Sequence, residues 1–197
     1  FANSMESLNR IEVKRFAYRI QERLGKKKGT LVLLPCSAKK PYSTSPSHRK
    51  FIEALGKYRG FLHEAIITSP LGIVPRELEL TYPAAHYDVP VTGHWDEEEK
   101  KWVKECLGEY IGKNEFDRII AHVDGGYKEI CESVSEETGI EMDFTCVDIP
   151  TSDVSLRRLR SAVSEISGER MEKKREMLRD IGDYQFGRGC GERIVPD

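Results

Sequence analysis

Apolar residues recur along this chain with two different periods, one typical of helices and one typical of buried strands. Helical spacing extends over residues 6–24, 45–55, 96–112, 126–139, 153–167 and 169–180. Short apolar runs that predict strands lie at 30–34, 64–69, 88–93, 117–123 and 142–149. Because the strands alternate with helices, the pattern predicts an α/β fold whose mostly parallel sheet is covered by helices on both faces.

Length, composition and charge narrow the classes of protein that fit this pattern. The 197 residues suffice for one domain, and 39 % hydrophobic with 32 % charged residues predicts a soluble chain with a single core. The formal net charge of −2 gives no general attraction for nucleic acid, so any contact with RNA must use local basic patches. The five cysteines form no CxxC pair, which favours reduced thiols in a cytoplasmic protein over disulfides or a zinc site. No apolar stretch reaches the length of a membrane span.

Reactive side chains are concentrated in the segment PCSAKKPYSTSPSH, residues 35–48, directly after the predicted strand at 30–34. In a parallel sheet the carboxyl ends of the strands share one edge, and ligands bind beyond that edge. Segments with glycine, proline or charged residues also follow the other predicted strands, namely SPLGIVPRELE, TGHWDE, DGG and DIPTS. We therefore expect residues 35–48 to form one wall of a shared cleft.

Two interpretations are open for Cys36 and for His48. Cys36 could be an inert buried thiol, or it could be a nucleophile, since the nearby cations of Lys39 and Lys40 would favour the thiolate. His48 falls in the first turn of a helix that Ser45 is predicted to cap. There it could transfer a proton beside the cysteine, or it could be an ordinary surface histidine. Three other cysteines fall on apolar faces and are predicted to lie in the core: Cys106, Cys131 and Cys146.

Further candidate binding residues lie in the segments after the strands. Tyr42 could stack on a planar ligand or simply cover its loop. Ser69 begins SPLGIVPRELE, in which Arg76 suits phosphate or carboxylate recognition but could equally form an ion pair with Glu77. A possible stacking platform for a base, part of which must be core, comprises Tyr82, His86, Tyr87, His94 and Trp95. Asp124 precedes a helix N-terminus that could hold an anion, or it only begins a turn.

The spacing of the opening segment resembles the hallmark motif of the archaeosine synthase family, archaeal tRNA-modifying relatives of the tRNA-guanine transglycosylases. The matching positions are Pro35, Cys36, Lys40, Pro41, Tyr42, Ser45 and His48. Seven fixed positions within fourteen make this resemblance specific. The segments SPLGIVPRELE, YPAAHYDVPVTGHWD and DYQFGRGCGERI also resemble parts of that family, so the likeness extends from about residue 30 to the end.

The resemblance implies a three-layer α/β/α fold similar to the uracil-DNA glycosylases, with residues 30–168 as the catalytic core. Residues 1–29 would comprise a cloning remnant and an N-terminal helix, and residues 169–197 would lead toward an absent PUA-type module. Members of the family add lysine to the nitrile of 7-cyano-7-deazaguanine in the D-loop of tRNA. A radical-SAM partner, which carries an iron–sulfur cluster and S-adenosylmethionine, then cleaves the adduct. Transglycosylase-like and PUA domains would lie on the same or another chain, and this chain would need no cofactor or metal of its own.

This chemistry assigns Cys36 as the nucleophile, Lys40 as the cation that lowers its pKa and His48 as the proton shuttle. The expected substrate-binding residues are Tyr42, Ser45, Ser69, Arg76, Glu77, His86, Tyr87 and Asp124. Three alternatives are open: direct addition of lysine with Cys36 only shaping the pocket, a non-catalytic RNA-binding or accessory domain of a transglycosylase-like protein, and a cysteine hydrolase of small amides. Binding of tRNA by this chain is expected to be weak and strongly salt-dependent.

Overall fold

A computed structural model of the protein describes residues 8–87 and 95–186. Its helices are α1 (Ile11–Arg23), α2 (Pro46–Leu55), α3 (Glu97–Lys113), α4 (Gly125–Thr138) and α5 (Asp153–Phe186). Its strands are β1 (Lys28–Pro35), β2 (Leu62–Thr68), β3 (Gly72–Pro75), β4 (Glu115–Ala121) and β5 (Asp143–Phe144). Short 3₁₀ turns lie at Tyr42–Thr44, Gly56–Phe61 and Arg76–Leu78.

The five strands form one sheet in the order β3-β2-β1-β4-β5. β1 is parallel to both β2 and β4, and β4 is parallel to β5, while the short β3 is antiparallel to β2. The prediction of a mostly parallel α/β sheet is therefore confirmed. The carboxyl ends of β1, β2 and β4 meet at one edge, because the three strands run in the same direction.

Helices cover both faces of the sheet, and each face has its own apolar cluster. Leu31 and Leu33 of β1 belong to the cluster formed with α1, α3 and α4. Val32 and Leu34, which alternate with them along the strand, belong to the cluster formed with α2 and α5. Successive side chains of a strand point to opposite faces, so the central strand supports both layers. The closer likeness to uracil-DNA glycosylases stays a prediction.

Local sequence accounts for the start of two helices. The Oγ atom of Ser45 accepts a hydrogen bond from the backbone N–H of His48 at 3.2 Å, and Pro46 occupies the first helical position of α2. The predicted cap is thus present, and such a cap contributes about 1 kcal/mol. α3 begins with a capping box in which Asp96 and Glu99 each accept from the other's backbone N–H.

Three elements differ from their predictions. The last strand was expected over 142–149 but β5 pairs only at Asp143–Phe144, because the polar groups that follow it turn toward His122. The four-residue β3 was not predicted, since the prolines of its segment, Pro70 and Pro75, are typical of a loop. The two predicted C-terminal helices form the single α5, which continues through Gly168. The predicted strand at 88–93 lies outside the described residues.

No helix of the described residues is both long enough and apolar enough to cross a lipid bilayer.

Candidate active site

Cys36 lies one residue beyond the end of β1, where the chain leaves the centre of the sheet. β1 pairs with β2 on one side and with β4 on the other, so the connections that follow the two central strands diverge here. Open parallel sheets bind ligands at such a switch point. Asp124 and Gly125 follow β4 at the same edge, and Cys36 is partly exposed there. The expectation that Cys36 and Asp124 share one edge of the sheet is confirmed.

The thiol of Cys36 is hydrogen bonded to the phenol of Tyr127, with 2.7 Å between Sγ and Oη. Tyr127 lies in the first turn of α4, and its ring packs edge-on against Trp95 with 4.7 Å between the ring centroids. Burial raises the pKa of Tyr127, and the neighbouring sulfur raises it further, so the phenol stays protonated. The site therefore holds a sulfur atom next to a neutral acid.

Burial also dominates the ionisation of Cys36, whose pKa is raised. Hydrogen bonds from Tyr127 and Thr68 and the charge of Lys40 act in the opposite direction, but they do not outweigh burial. Lys40 thus has the expected direction of effect on the thiol without being the controlling influence. In the free protein the nucleophile candidate is a protonated thiol at neutral pH.

A chain of hydroxyl groups continues from the thiol into the protein. Tyr42 is fully buried, and its hydroxyl is hydrogen bonded to that of Tyr87, which is in turn hydrogen bonded to the hydroxyl of Thr68. Lys40 lies over the ring of Tyr87, with 4.1 Å from Nζ to the ring centroid. Tyr42 therefore forms the inner wall of its loop and does not present a face to a ligand. Tyr87 and Lys40 line the site above it.

His48 is fully buried, so the surface-histidine interpretation is wrong. An Nη2 hydrogen of Arg76 is donated to Nδ1 of His48 at 2.8 Å, and Nε2 lies 3.0 Å from the carbonyl oxygen of Pro35. Since a guanidinium can only donate, Nδ1 must be the acceptor, and the ring proton is on Nε2. Both ring nitrogens are thus engaged, Nδ1 by Arg76 and Nε2 by the backbone carbonyl next to Cys36.

The remaining donors of Arg76 bind two buried carboxylates. Its Nε donates to Glu64 at 2.9 Å, and its Nη1 donates to Glu79 at 3.0 Å. Glu79 also accepts the backbone N–H of Ser43 at 2.9 Å, and Glu64 pairs with Arg59 at 2.5 Å. Arg76 therefore forms structural ion pairs, as one interpretation held. Its partners are Glu64 and Glu79, however, and not the adjacent Glu77. The network ties the segment after β3 to the loop that carries Cys36.

Burial and the charge of Arg76 lower the pKa of His48 to about 3. The unfolded chain would bind a proton near the ordinary value of 6.5, so below that pH it takes up a proton that the native ring excludes. We expect the contribution of His48 to the free energy of unfolding to be complete above pH 6.5 and to decline toward pH 3. The limiting slope is about 1.4 kcal/mol per pH unit.

Urea denaturation of the unaltered protein and of His48→Gln between about pH 7 and pH 5 measures this contribution. The carboxylates that both proteins contain titrate in each of them. The difference between the two slopes of the free energy of unfolding against pH therefore isolates the histidine. A shallower slope is expected for the variant, and equal slopes would show that His48 takes up a proton in the native state.

Other predicted residues lie at different distances from this site. Ser69 Oγ donates to Glu99 at 2.6 Å and so ties the end of β2 to the start of α3. Asp124 is half-buried at the start of α4, where its side chain makes no cap hydrogen bond, and burial raises its pKa. Ser45 is buried as a cap. His86 is exposed one residue before Tyr87.

Some predicted residues are not part of the cluster. Glu77 pairs with Lys27 at 2.6 Å, near the amino end of β1 and away from Cys36. Cys106 and Cys131 are buried as predicted, whereas Cys146 is half-exposed beyond β5 and the prediction of a core position is wrong. His94 lies outside the described residues. In the described ranges, no three His, Cys, Asp or Glu side chains converge as metal ligands would.

Sequence reasoning missed four residues of the site: Thr68, Glu64, Glu79 and Tyr127. Tyr127 had a recognisable signal, because it ends the motif DGGY that follows a buried strand. The two glutamates had none, since each is one acidic residue among many. Their role follows only from burial next to Arg76.

The fold and the site together define a three-layer α/β/α domain with a thiol–phenol pair at the switch point of its sheet. Residues 13–163 match the family described as "Domain of unknown function (DUF5591)", and the chain belongs to that family.

Relatives whose names state a function extend this comparison. The chain is 54 % identical to archaeosine synthase subunit alpha of Methanosarcina acetivorans, over 96 % of this chain and 32 % of that protein. It is 45 % identical to archaeosine synthase of Haloferax volcanii, over 100 % of this chain and 34 % of that protein. It is also 26 % identical to tRNA-guanine(15) transglycosylase of Methanothermobacter thermautotrophicus, over 100 % of this chain and 25 % of that protein. The chain thus spans about a third of the length of the archaeosine synthases.

Among solved structures, the crystal structure of AF0587, a protein of unknown function, has a similar fold. The TM-score is 0.62 and the sequence identity 36 %, with 75 % of this chain and 49 % of that chain covered.

Proposed function

We propose that this domain is the catalytic domain of an archaeosine synthase, a tRNA-modifying enzyme that adds lysine to the nitrile of 7-cyano-7-deazaguanine. Two lines of support converge. The relatives at 45 and 54 % identity are named archaeosine synthase and archaeosine synthase subunit alpha. The switch point of the sheet holds a cysteine, the residue type that adds to a nitrile carbon. We place the reaction in the cytoplasm.

The observation that carries the proposal is the contact between Cys36 and Tyr127 at the carboxyl end of β1. A nitrile is a weak electrophile, and it needs a nucleophile for its carbon and a proton for its nitrogen at the same time. The thiol supplies the first and the neutral phenol can supply the second. Their raised pKa values keep both protons in the site until substrate binds.

In the first step the sulfur of Cys36 forms a bond to the nitrile carbon, and one π bond of the nitrile breaks. The thiol proton passes to Tyr127 as the phenol gives its own proton to the nitrile nitrogen. The product is a neutral thioimidate, and no oxidant or reductant is consumed. Lys40, whose charge already favours the thiolate, stabilises negative charge on the sulfur as the proton leaves.

In the second step the neutral amino group of lysine adds to the thioimidate carbon. The carbon–sulfur bond then breaks, the sulfur takes back a proton, and a lysine-substituted amidine remains on the base. His48 was expected to be the proton shuttle, but its two nitrogens are bound to Arg76 and Pro35. We therefore assign His48 to positioning Cys36 and give the proton transfer to Tyr127.

The lysine adduct requires a later cleavage to leave the amidine of archaeosine. We assign that step to a partner subunit with an iron–sulfur cluster and S-adenosylmethionine, and the name "subunit alpha" of several relatives fits a complex of unlike subunits. No step assigned to the present chain uses a cofactor.

A second candidate function is a non-catalytic RNA-binding domain of a transglycosylase-like protein. The match to tRNA-guanine(15) transglycosylases over the whole chain favours it, and so does a thiol that burial keeps protonated. The two candidates differ in whether lysine is consumed.

Incubation of the protein with lysine and tRNA that carries 7-cyano-7-deazaguanine should give a modified nucleoside heavier by one lysine. Mass spectrometry of digested tRNA measures it, with tRNA containing guanine at that position and a reaction without lysine as controls. An unchanged nucleoside, from folded protein that binds the tRNA, would favour the non-catalytic function.

A further inference from the structure

Positive charge is concentrated in one short part of this chain. Residues 10–28 contain eight Lys or Arg and two Glu, a net charge of +6, whereas the whole chain has a net charge of −2. The other residues therefore carry −8. The uneven distribution gives the protein one strongly basic region, which comprises α1 and the turn into β1. Such a region attracts a polyanion even though the molecule as a whole does not.

Three arginines of α1 line a groove on the surface of the protein. Arg15, Arg19 and Arg23 are four residues apart, so they recur about every 6 Å along one side of the helix. The opposite wall of the groove is the segment after β3, in which Tyr82 is 65 % exposed. Phe16 forms part of the floor between the two walls.

The guanidinium groups of this groove are available to a ligand. Arg15, Arg19 and Arg23 are exposed, and in the described parts of the chain no carboxylate lies within 4.0 Å of them. Their spacing is comparable to that of successive phosphates along one nucleic-acid strand. Tyr82 adds an exposed aromatic ring to the same groove, and every base can stack on such a ring.

The groove is connected to the candidate active site by one helical turn. The backbone N–H of Tyr87 donates to the carbonyl oxygen of Pro83 at 3.0 Å, and Pro83 lines the groove beside Tyr82. Tyr87 itself contacts Lys40 and the hydroxyl chain next to Cys36. The segment that forms one wall of the groove therefore also supplies Tyr87 to the candidate active site.

We infer that the groove between α1 and residues 78–83 binds the backbone of an unpaired RNA segment, with a base stacked on Tyr82. The inference rests on the proposed function for the choice of RNA, and it assigns the substrate strand a path. A second groove, between α2 and α5, also contains arginines, but there Arg157 and Arg160 donate to the backbone carbonyls of Asp153 and Ala54. Glu53 and Asp153 line it together with Lys50, whereas the α1 groove has Arg15, Arg19 and Arg23 beside Glu12.

The test compares two double variants that remove the same charge, Arg15→Gln with Arg19→Gln in the groove and Arg157→Gln with Arg158→Gln on α5. The probe is an RNA hairpin with an unpaired loop and ordinary bases, and binding is measured across a series of salt concentrations. The groove variant should bind about tenfold more weakly near 0.1 M salt, and its salt slope should fall by about 1.4. The α5 variant should bind within about twofold of the unaltered protein.

Tyr82→Ala isolates stacking from charge. It should weaken binding of the hairpin about tenfold and leave the salt slope unchanged, while a fully paired duplex of the same length should bind almost as before. Circular dichroism of each variant checks that the helices are retained.

Three results would overturn the inference: no hairpin binding by the unaltered protein at low salt, equal losses in the two double variants, or no loss in the groove variant. Failure of the proposed function is a separate result, because the hairpin lacks the nitrile base. If lysine addition is absent but the groove variant alone loses RNA binding, the groove is an RNA-binding site and the proposed lysine addition is wrong.

Discussion

Replacing Cys36 with serine should abolish lysine addition and leave the fold intact. Serine is nearly isosteric with cysteine, but its hydroxyl is a far weaker nucleophile at neutral pH, so the thioimidate cannot form. We expect the rate to fall on the order of 10³-fold or more, as for loss of other covalent nucleophiles. The measurement is the rate at which the lysine-modified nucleoside accumulates in the tRNA assay, with the free energy of unfolding determined in parallel.

Cys146→Ser is the matched control, since Cys146 is also a partly exposed thiol, beyond the strand β5. It should retain full activity. Denaturing mass spectrometry of protein mixed with the cyano-deazaguanine base, without lysine, should further show an adduct on the Cys36 peptide. Full activity in Cys36→Ser would end the covalent mechanism and leave Cys36 as a residue that shapes the pocket.

Replacing Arg76 with methionine should lower the free energy of unfolding by about 3–5 kcal/mol, the range for breaking a buried ion pair from one side. The reason is that Glu79 would lose its guanidinium partner and Glu64 would keep only Arg59. His48 would also lose the donor that fixes its tautomer. Urea denaturation at neutral pH measures the loss.

Lys104→Met provides the comparison, because Lys104 makes an exposed ion pair with Glu137. Pairs of that kind contribute about 0–1 kcal/mol, so the control should lie near the unaltered protein. A loss below about 1 kcal/mol in Arg76→Met would contradict the structural role, since surface pairs alone give that value. It would leave Arg76 open to a role in binding substrate.

The parts of the fold that follow from local patterns were predictable from sequence. The alternating strand and helix periods predicted the parallel sheet and the two helical layers, and the pair Ser45-Pro46 predicted the start of α2. The position of Cys36 directly after a buried strand followed from the same pattern. These features depend on near neighbours in the chain, which a one-dimensional pattern records.

The features that were not predictable depend on distant residues. β5 ends early because His122 bonds Thr145 and the carbonyl of Pro150. Gly168 does not end α5, since a single glycine destabilises a helix by only about 1 kcal/mol. The hydrogen bond between His48 and Arg76 joins positions 28 residues apart. The local sequence around Cys36, which suggested His48 as a proton shuttle, gave no sign of this bond.

The division of the core by β1 has a consequence for chemical labelling of the protein. Leu31 and Leu33 pack in one layer while Val32 and Leu34 pack in the other, so β1 can open only if both layers separate. Such an opening requires nearly the full free energy of unfolding. Alkylation of Cys36 should therefore report reagent access to the folded site, whereas alkylation of the buried Cys131 should report unfolding. Cys36 and Cys131 thus allow access to the site and global unfolding to be measured in the same protein.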